Sequence, residues 1–218
     1  TDVQGELAKE VLLQKPSDMG KGKIDDLIPF RINGNKTSLL AHSLGKVLEK
    51  GAETSDGVLD LFGGAGAYTH YIAKTGKMPK SSRLNEYDPL RMIAHKQVKE
   101  NPQAVIAGIN KHGNVILDII RSVVAGEPFT KEKHSALTQQ VRDYLYSELE
   151  KEIKPGQNFE ALRYSKQPIE FNDNPNASAL YHLAQEGTFG DSAVSADVGP
   201  NGRLKKFGSN AYIINSEG

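Results

Sequence analysis

The run Asp60-Leu61-Phe62-Gly63-Gly64-Ala65-Gly66-Ala67 stands between a short apolar stretch and a segment with helical patterning. Glycines placed there let a strand turn sharply into a helix. They also let a ligand approach the backbone at the helix end whose amides point outward. Taken alone, the pattern fits either a ligand cradle or a plain tight turn. Glu86 sharpens it, because it falls at the end of the next strand candidate, where a carboxylate accepts the hydroxyl hydrogens of a ribose. Loop and acid together point to a ligand carrying a nucleoside. A nicotinamide dinucleotide fold calls for a further glycine three positions after Gly66, and position 69 is Thr. The shorter spacing suits S-adenosylmethionine instead.

Other chemistries find no support. Histidines at 42, 70, 95, 112, 134 and 182 never fall three or four apart, and the chain has no cysteine, which argues against a helical metal pair, a thiolate zinc site, a disulfide scaffold or a cysteine nucleophile. Asn35-Lys36-Thr37 ends like a phosphate-binding loop, but that loop needs glycine where Asn35 and Phe30 stand. No Gly-x-Ser-x-Gly elbow marks a hydrolase.

The elements that must position the loop follow from periodicity. Thr37 and Ser38 precede Leu39, Leu40, Leu44, Val47 and Leu48 at helical spacing, and Gly51 predicts a left-handed stop. Val58-Leu59-Asp60-Leu61-Phe62 predicts a strand buried in a parallel sheet. Residues 67–74 predict a helix ended near Gly76. Residues 83–87 predict a second strand, followed by a helix capped by Asp88 with Pro89 at its first position. Such alternation argues for a doubly wound α/β sheet. Beyond Pro102 the pattern turns helical. Val105, Ile106, Ile109, Ile116, Ile119, Ile120 and Val123 predict a helix that serves as core or packing surface rather than as a partner site, broken at Gly126-Glu127-Pro128. A helix over 131–154 should bury Leu137, Val141, Leu145 and Leu149. Another, over 176–185, should carry Ala177, Leu180, Tyr181 and Ala184 on one side, before a loop-like, glycine-rich stretch at 187–208.

Composition sets the outer bounds. In 218 residues, 27 basic and 27 acidic side chains cancel, so no overall positive field advertises nucleic acid. With 38% hydrophobic and 25% charged residues the chain has enough apolar surface for a core. The polar, lysine-rich opening resembles neither a signal peptide nor a membrane span, which predicts a cytoplasmic or virion-internal protein. Residues 1–27, with Met19-Gly20-Lys21-Gly22-Lys23, predict a flexible arm. The opening Thr1 predicts a chain cut from something longer.

Three stretches in this order carry a resemblance: Phe30-Arg31-Ile32-Asn33-Gly34-Asn35-Lys36, then Leu59-Asp60-Leu61-Phe62-Gly63-Gly64-Ala65-Gly66, then Asn85-Glu86-Tyr87-Asp88-Pro89. They resemble the amino-terminal half of the DNA adenine-N6 methylase family, which has a Gly-Gly-Lys segment, a Phe-x-Gly-x-Gly loop and an Asn-Asp-x-Asn strand end at similar spacing. Arg163 to Asn172, Ala177-Ser178-Ala179-Leu180-Tyr181-His182-Leu183, Thr188-Phe189-Gly190, Gly202 and Phe207-Gly208 follow that family's target-recognition region. The resemblance spans roughly residues 28 to 214. It implies an S-adenosylmethionine-binding α/β part at 28–101, built on a partial Rossmann-like methyltransferase sheet, and an attached helical, target-recognition-like lobe at 102–218. It assigns Asn33, Gly34 and Lys36 to the methionine end of the cofactor, Phe62, Gly63, Gly64 and Gly66 to the cradle, Glu86 to the ribose and Tyr87 to the adenine.

Departures from the family are informative. Asn35 replaces a glycine and Leu61 a proline. After Thr188-Phe189-Gly190 come Ala193 and Ser195, where the family has Arg and Asn; neither can make a bidentate contact to a base edge. Arg203, Lys205 and Lys206 remain as candidates for phosphate contacts, which fix position without reading sequence. The family's catalytic Asp-Pro-Pro-Tyr is missing, since the chain has no adjacent prolines. In the family that tetrapeptide follows the recognition region, beyond the point matching Gly218. The expectation is therefore the cofactor-binding and recognition part of a longer or processed methyltransferase, inactive alone and completed by a carboxy-terminal catalytic part, with DNA as partner. The alternative is a non-catalytic remnant serving as a DNA-associated or virion structural protein.

Overall fold

The computed structural model describes residues 37–42, 44–61, 63–125, 130–186, 194–199 and 204–206. The expected arm at 1–27, the candidate residues Asn33, Gly34, Lys36, Phe62 and Arg203, and the side chains of Lys205 and Lys206 lie outside the described residues. The described chain is mixed α/β, mostly helical, with a small two-stranded parallel sheet. It divides into two compact units, Thr1–Tyr87 and Asp88–Gly218.

The first unit contains α1 (Thr37–His42), α2 (Leu44–Thr54), β1 (Gly57–Asp60), α3 (Ala67–Thr75) and β2 (Ser81–Leu84). Strands β1 and β2 are parallel, with Gly57 opposite Ser81 and Asp60 opposite Leu84, and α3 is the crossover that parallel strands require. Leu40, Ala41, Ala52, Ala67, Tyr71 and Ile72 form the core, joined by Leu48, Val58, Tyr68 and Met78. The Tyr71 hydroxyl donates to the buried carboxylate of Glu49, which also receives Lys77 Nζ at 3.2 Å. That charge is therefore paired where it leaves water.

Two expectations are corrected here. Gly51 does not stop its helix, which runs on to Thr54. Thr54 Oγ1 donates to the Lys50 carbonyl at 3.1 Å and Ser55 Oγ to the Gly51 carbonyl at 2.6 Å, so hydroxyls satisfy the terminal carbonyls and no left-handed glycine is required. Gly76, by contrast, does end α3 at φ 74°. The strand β1 is not buried on both faces, because Val58 packs into the core while Leu59 is 58% exposed. Successive side chains point to opposite faces of a strand, and among the described residues one face of this sheet has no covering layer.

The second unit contains α4 (Pro89–Glu100), α5 (Pro102–Val124), α6 (Lys131–Lys151), α7 (Phe159–Ser165), α8 (Pro175–Glu186), β3 (Val194–Val198) and β4 (Leu204–Lys206). The central helix is α8, packed against α4, α5 and α6 through fully buried Ala177, Ala179, Leu180 and Tyr181. Asp88 caps α4 as the sequence predicts, accepting from the amides of Leu90 and Arg91 at 2.9 and 3.2 Å. Leu90, Ile93, Ala94 and Gln97 then face inward, so α4 packs within the helical unit. The division between the two units falls before this helix, at Tyr87/Asp88. Within α6, Leu137, Val141, Leu145 and Leu149 are buried as the periodicity predicts. The helix ends at Lys151, where the chain turns into a bridge between Ile153 and Phe171.

Polar groups tie the lobe together. The His112 ring meets Tyr144 Oη at 2.7 Å and Asn176 Oδ1 at 2.9 Å, and Asn176 and Asn174 both donate to Glu152 at 2.7 Å. The buried imidazole is thus engaged at both nitrogens. Helix α7 and the antiparallel pair β3–β4 were not foreseen; the strands lie in the stretch expected to be loop-like, with Val198 opposite Leu204. The buried Leu204 gives this pair a core contact legible after the fact. Among the described residues no helix is long and apolar enough to cross a membrane.

Candidate functional site

The loop leaving β1 and the segment leaving β2 lie at the carboxyl ends of two parallel strands, the edge where open α/β sheets bind ligands. Backbone bonds weld them together. Asn85 N donates to Asp60 O at 2.7 Å, and Gly63 N donates to Asn85 O at 2.9 Å. The side-chain amide of Asn85 donates to Leu61 O at 3.0 Å. Gly63 leaves no room for a side chain, since a Cβ there would sit 2.5 Å from Leu84 Cγ. Gly64 and Gly66 have φ of 51° and 74°, a region glycine enters without steric cost. Gly66 N closes the turn on Gly63 O at 2.6 Å, and Gly66 O accepts the His70 amide at 2.9 Å to begin α3.

Glu86 is turned into this loop: its Oε2 accepts the Gly64 amide at 2.8 Å. The contact joins the glycine turn to the acid on the neighbouring strand end and fixes the carboxylate's orientation. Tyr87 follows, 70% exposed, a flat aromatic surface next in the chain. Gly63, Gly64, Gly66 and Glu86 are therefore brought together, and Tyr87 adjoins them in sequence. Lys205 and Lys206 fall on β4 in the second unit.

Four neighbouring residues, Asp60, Tyr68, Thr69 and Asn85, support the turn. Asp60 Oδ2 accepts Thr69 Oγ1 at 3.2 Å, tying the end of β1 to the first turns of α3. Burial, and then the Asp60 charge, push the Tyr68 hydroxyl above the usual tyrosine range. Asn85 is the link described above. Asp60 heads the glycine run and Asn85 precedes Glu86, so adjacency was the available signal. The chain matches no protein-family model, no curated protein and no solved structure.

An adenosyl group fits the residues present in two respects. Gly64 and Gly66 present backbone without side chains at positive φ, and a carboxylate stands at the strand end where a ribose diol needs an acceptor. Tyr87 adds an aromatic face for a base.

Proposed function

We propose that this chain is the cofactor-binding and recognition part of a DNA adenine-N6 methyltransferase-like protein that binds S-adenosylmethionine through the first unit. The observation that carries this reading is the 2.8 Å hydrogen bond that holds Glu86 against the Gly64 amide, pairing a glycine turn with an acid at the ends of two parallel strands. Glu86 accepts from the ribose hydroxyls, the turn at Gly63, Gly64 and Gly66 admits the ligand to the backbone, and Tyr87 offers its ring to the adenine. Lys36, Asn33, Gly34 and Phe62 belong to the same reading through the resemblance. When bound, the cofactor supplies the methyl group on its sulfonium sulfur. The residues that would bind the acceptor amine are expected on a separate catalytic part, and the reading places the protein in the cytoplasm or inside a virion. Arg203, Lys205 and Lys206 hold DNA by its phosphates.

A second reading, a remnant that keeps the scaffold as a DNA-associated or virion structural protein, is favoured by the absence of adjacent prolines and by Ala193 and Ser195 in the recognition stretch. Calorimetric titration with S-adenosylmethionine separates the two. Saturable heat that Glu86→Ala abolishes and Glu86→Gln weakens about tenfold supports the cofactor site. No heat at about 1 mM cofactor leaves only the scaffold.

A further inference from the structure

The second unit contains a cavity of about 380 Å³ where the last turn of α6, the chain that follows it, the start of α7 and strand β4 converge. Ile153, Pro155, Phe159 and Leu204 make its walls apolar, and the volume is that of a pocket for a small organic molecule. Three polar side chains also line it, Glu150, Lys154 and Gln157. Two of them are spent on the fold. Gln157 Nε2 donates to the carbonyls of Lys154 and Glu170 at 2.9 and 2.7 Å, while its Oε1 accepts the Glu170 amide at 2.7 Å. Lys154 Nζ donates to Glu170 Oε2 at 3.0 Å, and the nearby Lys151 is held by Glu148. Half-buried Glu150 differs, because among the described residues its carboxylate has neither hydrogen bond nor ion pair. Its position also has the wrong sign for the helix. Glu150 stands in the last turn of α6, where the carbonyl ends carry partial negative charge and disfavour an acid.

We propose that this cavity binds a small organic ammonium, a primary amine protonated at neutral pH and carried on an apolar body. The ammonium meets Glu150 and the carbonyl end of α6 together, two negative partners that a half-buried site screens less than open water does. The body fills the space between Pro155, Phe159 and Leu204, and the Phe159 ring offers a face that favours a cation as well as an apolar group. An anion of the same shape is disfavoured by Glu150, since Lys154, the cation in the wall, is already paired with Glu170. A neutral molecule of that shape gains the apolar contact alone. The site is built wholly from residues of the second unit and shares none with the glycine turn.

Ligand-observed NMR titration of the full chain tests this with three probes of similar shape and different charge: phenethylammonium, 2-phenylethanol and 3-phenylpropionate. Phenethylammonium should bind with a Kd of about 1 mM, in keeping with its size, and about tenfold more tightly than the alcohol. Glu150→Gln should remove that preference and leave the affinity for the alcohol unchanged, a result that a misfolded variant does not give. Glu150→Lys should reverse the preference, so that 3-phenylpropionate becomes the tightest of the three. No saturable binding of phenethylammonium up to about 10 mM overturns the proposal. Equal affinity for the amine and the alcohol does the same, because the carboxylate is then neutralised by another part of the chain or turned out of the cavity. So does an ammonium preference that survives Glu150→Gln.

Discussion

Gly63 has no space for a side chain beside Leu84, and the pair tests whether the turn is held from below as well as by Glu86. A methyl at Gly63 would meet the Leu84 side chain at 2.5 Å. Gly63→Ala should therefore destabilise the first unit by about 1 to 3 kcal/mol. Leu84→Ala in the same chain should recover part of that loss, read as a coupling energy from a double-mutant cycle by denaturant titration. Tyr181 makes a second prediction. Burial pushes its hydroxyl up to about 12, against the opposing influence of Arg91, whose Nε donates to it at 3.1 Å. The folded state thus keeps this proton after the unfolded chain has lost its own near pH 10. The associated stability is complete below about pH 10 and falls between about pH 10 and 12, on the order of 2 kcal/mol. Tyr181→Phe should flatten that alkaline loss in thermal melts followed from pH 9 upward, by about the same amount.

At the scale of elements, helix α8 organises the second unit because small residues let its neighbours come close. Gly108 of α5 meets Ala179 of α8 with no room for a methyl, since a Cβ on Gly108 would lie 2.8 Å from that of Ala179. Alanine is the better helix former by about 1 kcal/mol, yet Gly108→Ala should lower stability by about 1 to 3 kcal/mol, since overpacking outweighs propensity here. Chemical denaturation is the measurement, and an increase in stability would show that the α5–α8 approach is not tight. The same rule explains what sequence could and could not locate. Helices over 102–124, 131–151 and 175–186 were legible because their buried positions repeat at helical spacing. The stop at Gly51 was misread because glycine permits a left-handed turn without compelling one, and Thr54 and Ser55 supplied the capping groups instead. Strands β3 and β4 were invisible, since three to five residues between glycines carry too little periodicity to separate strand from loop.

At the scale of the whole molecule, the two units have separate cores, and a cofactor held by the first should leave the second largely unchanged. Hydrogen exchange with and without S-adenosylmethionine should show slowed amides in peptides covering 60–72 and 84–87, and unchanged exchange in those covering 131–151. Uniform protection across both units, or none, would contradict a cofactor site confined to the glycine loop. The boundary at Tyr87/Asp88 sharpens this expectation, because α4 follows Glu86 closely in sequence and yet packs with α8.

The sequence by itself determined the local events: a glycine turn after an apolar strand, an acid at the next strand end, a capped start at Asp88, and long amphipathic helices. Each depends on residues close along the chain, whose conformational preferences act without help from distant partners. Only the tertiary structure decided that Glu86 turns inward onto Gly64, that one face of β1 stays exposed, that α4 joins the helical unit, and that Ile106 and Leu117 of α5 stay exposed. Those outcomes depend on which surfaces meet across long stretches of chain, and an apolar residue at helical spacing reads the same whether it ends buried or exposed.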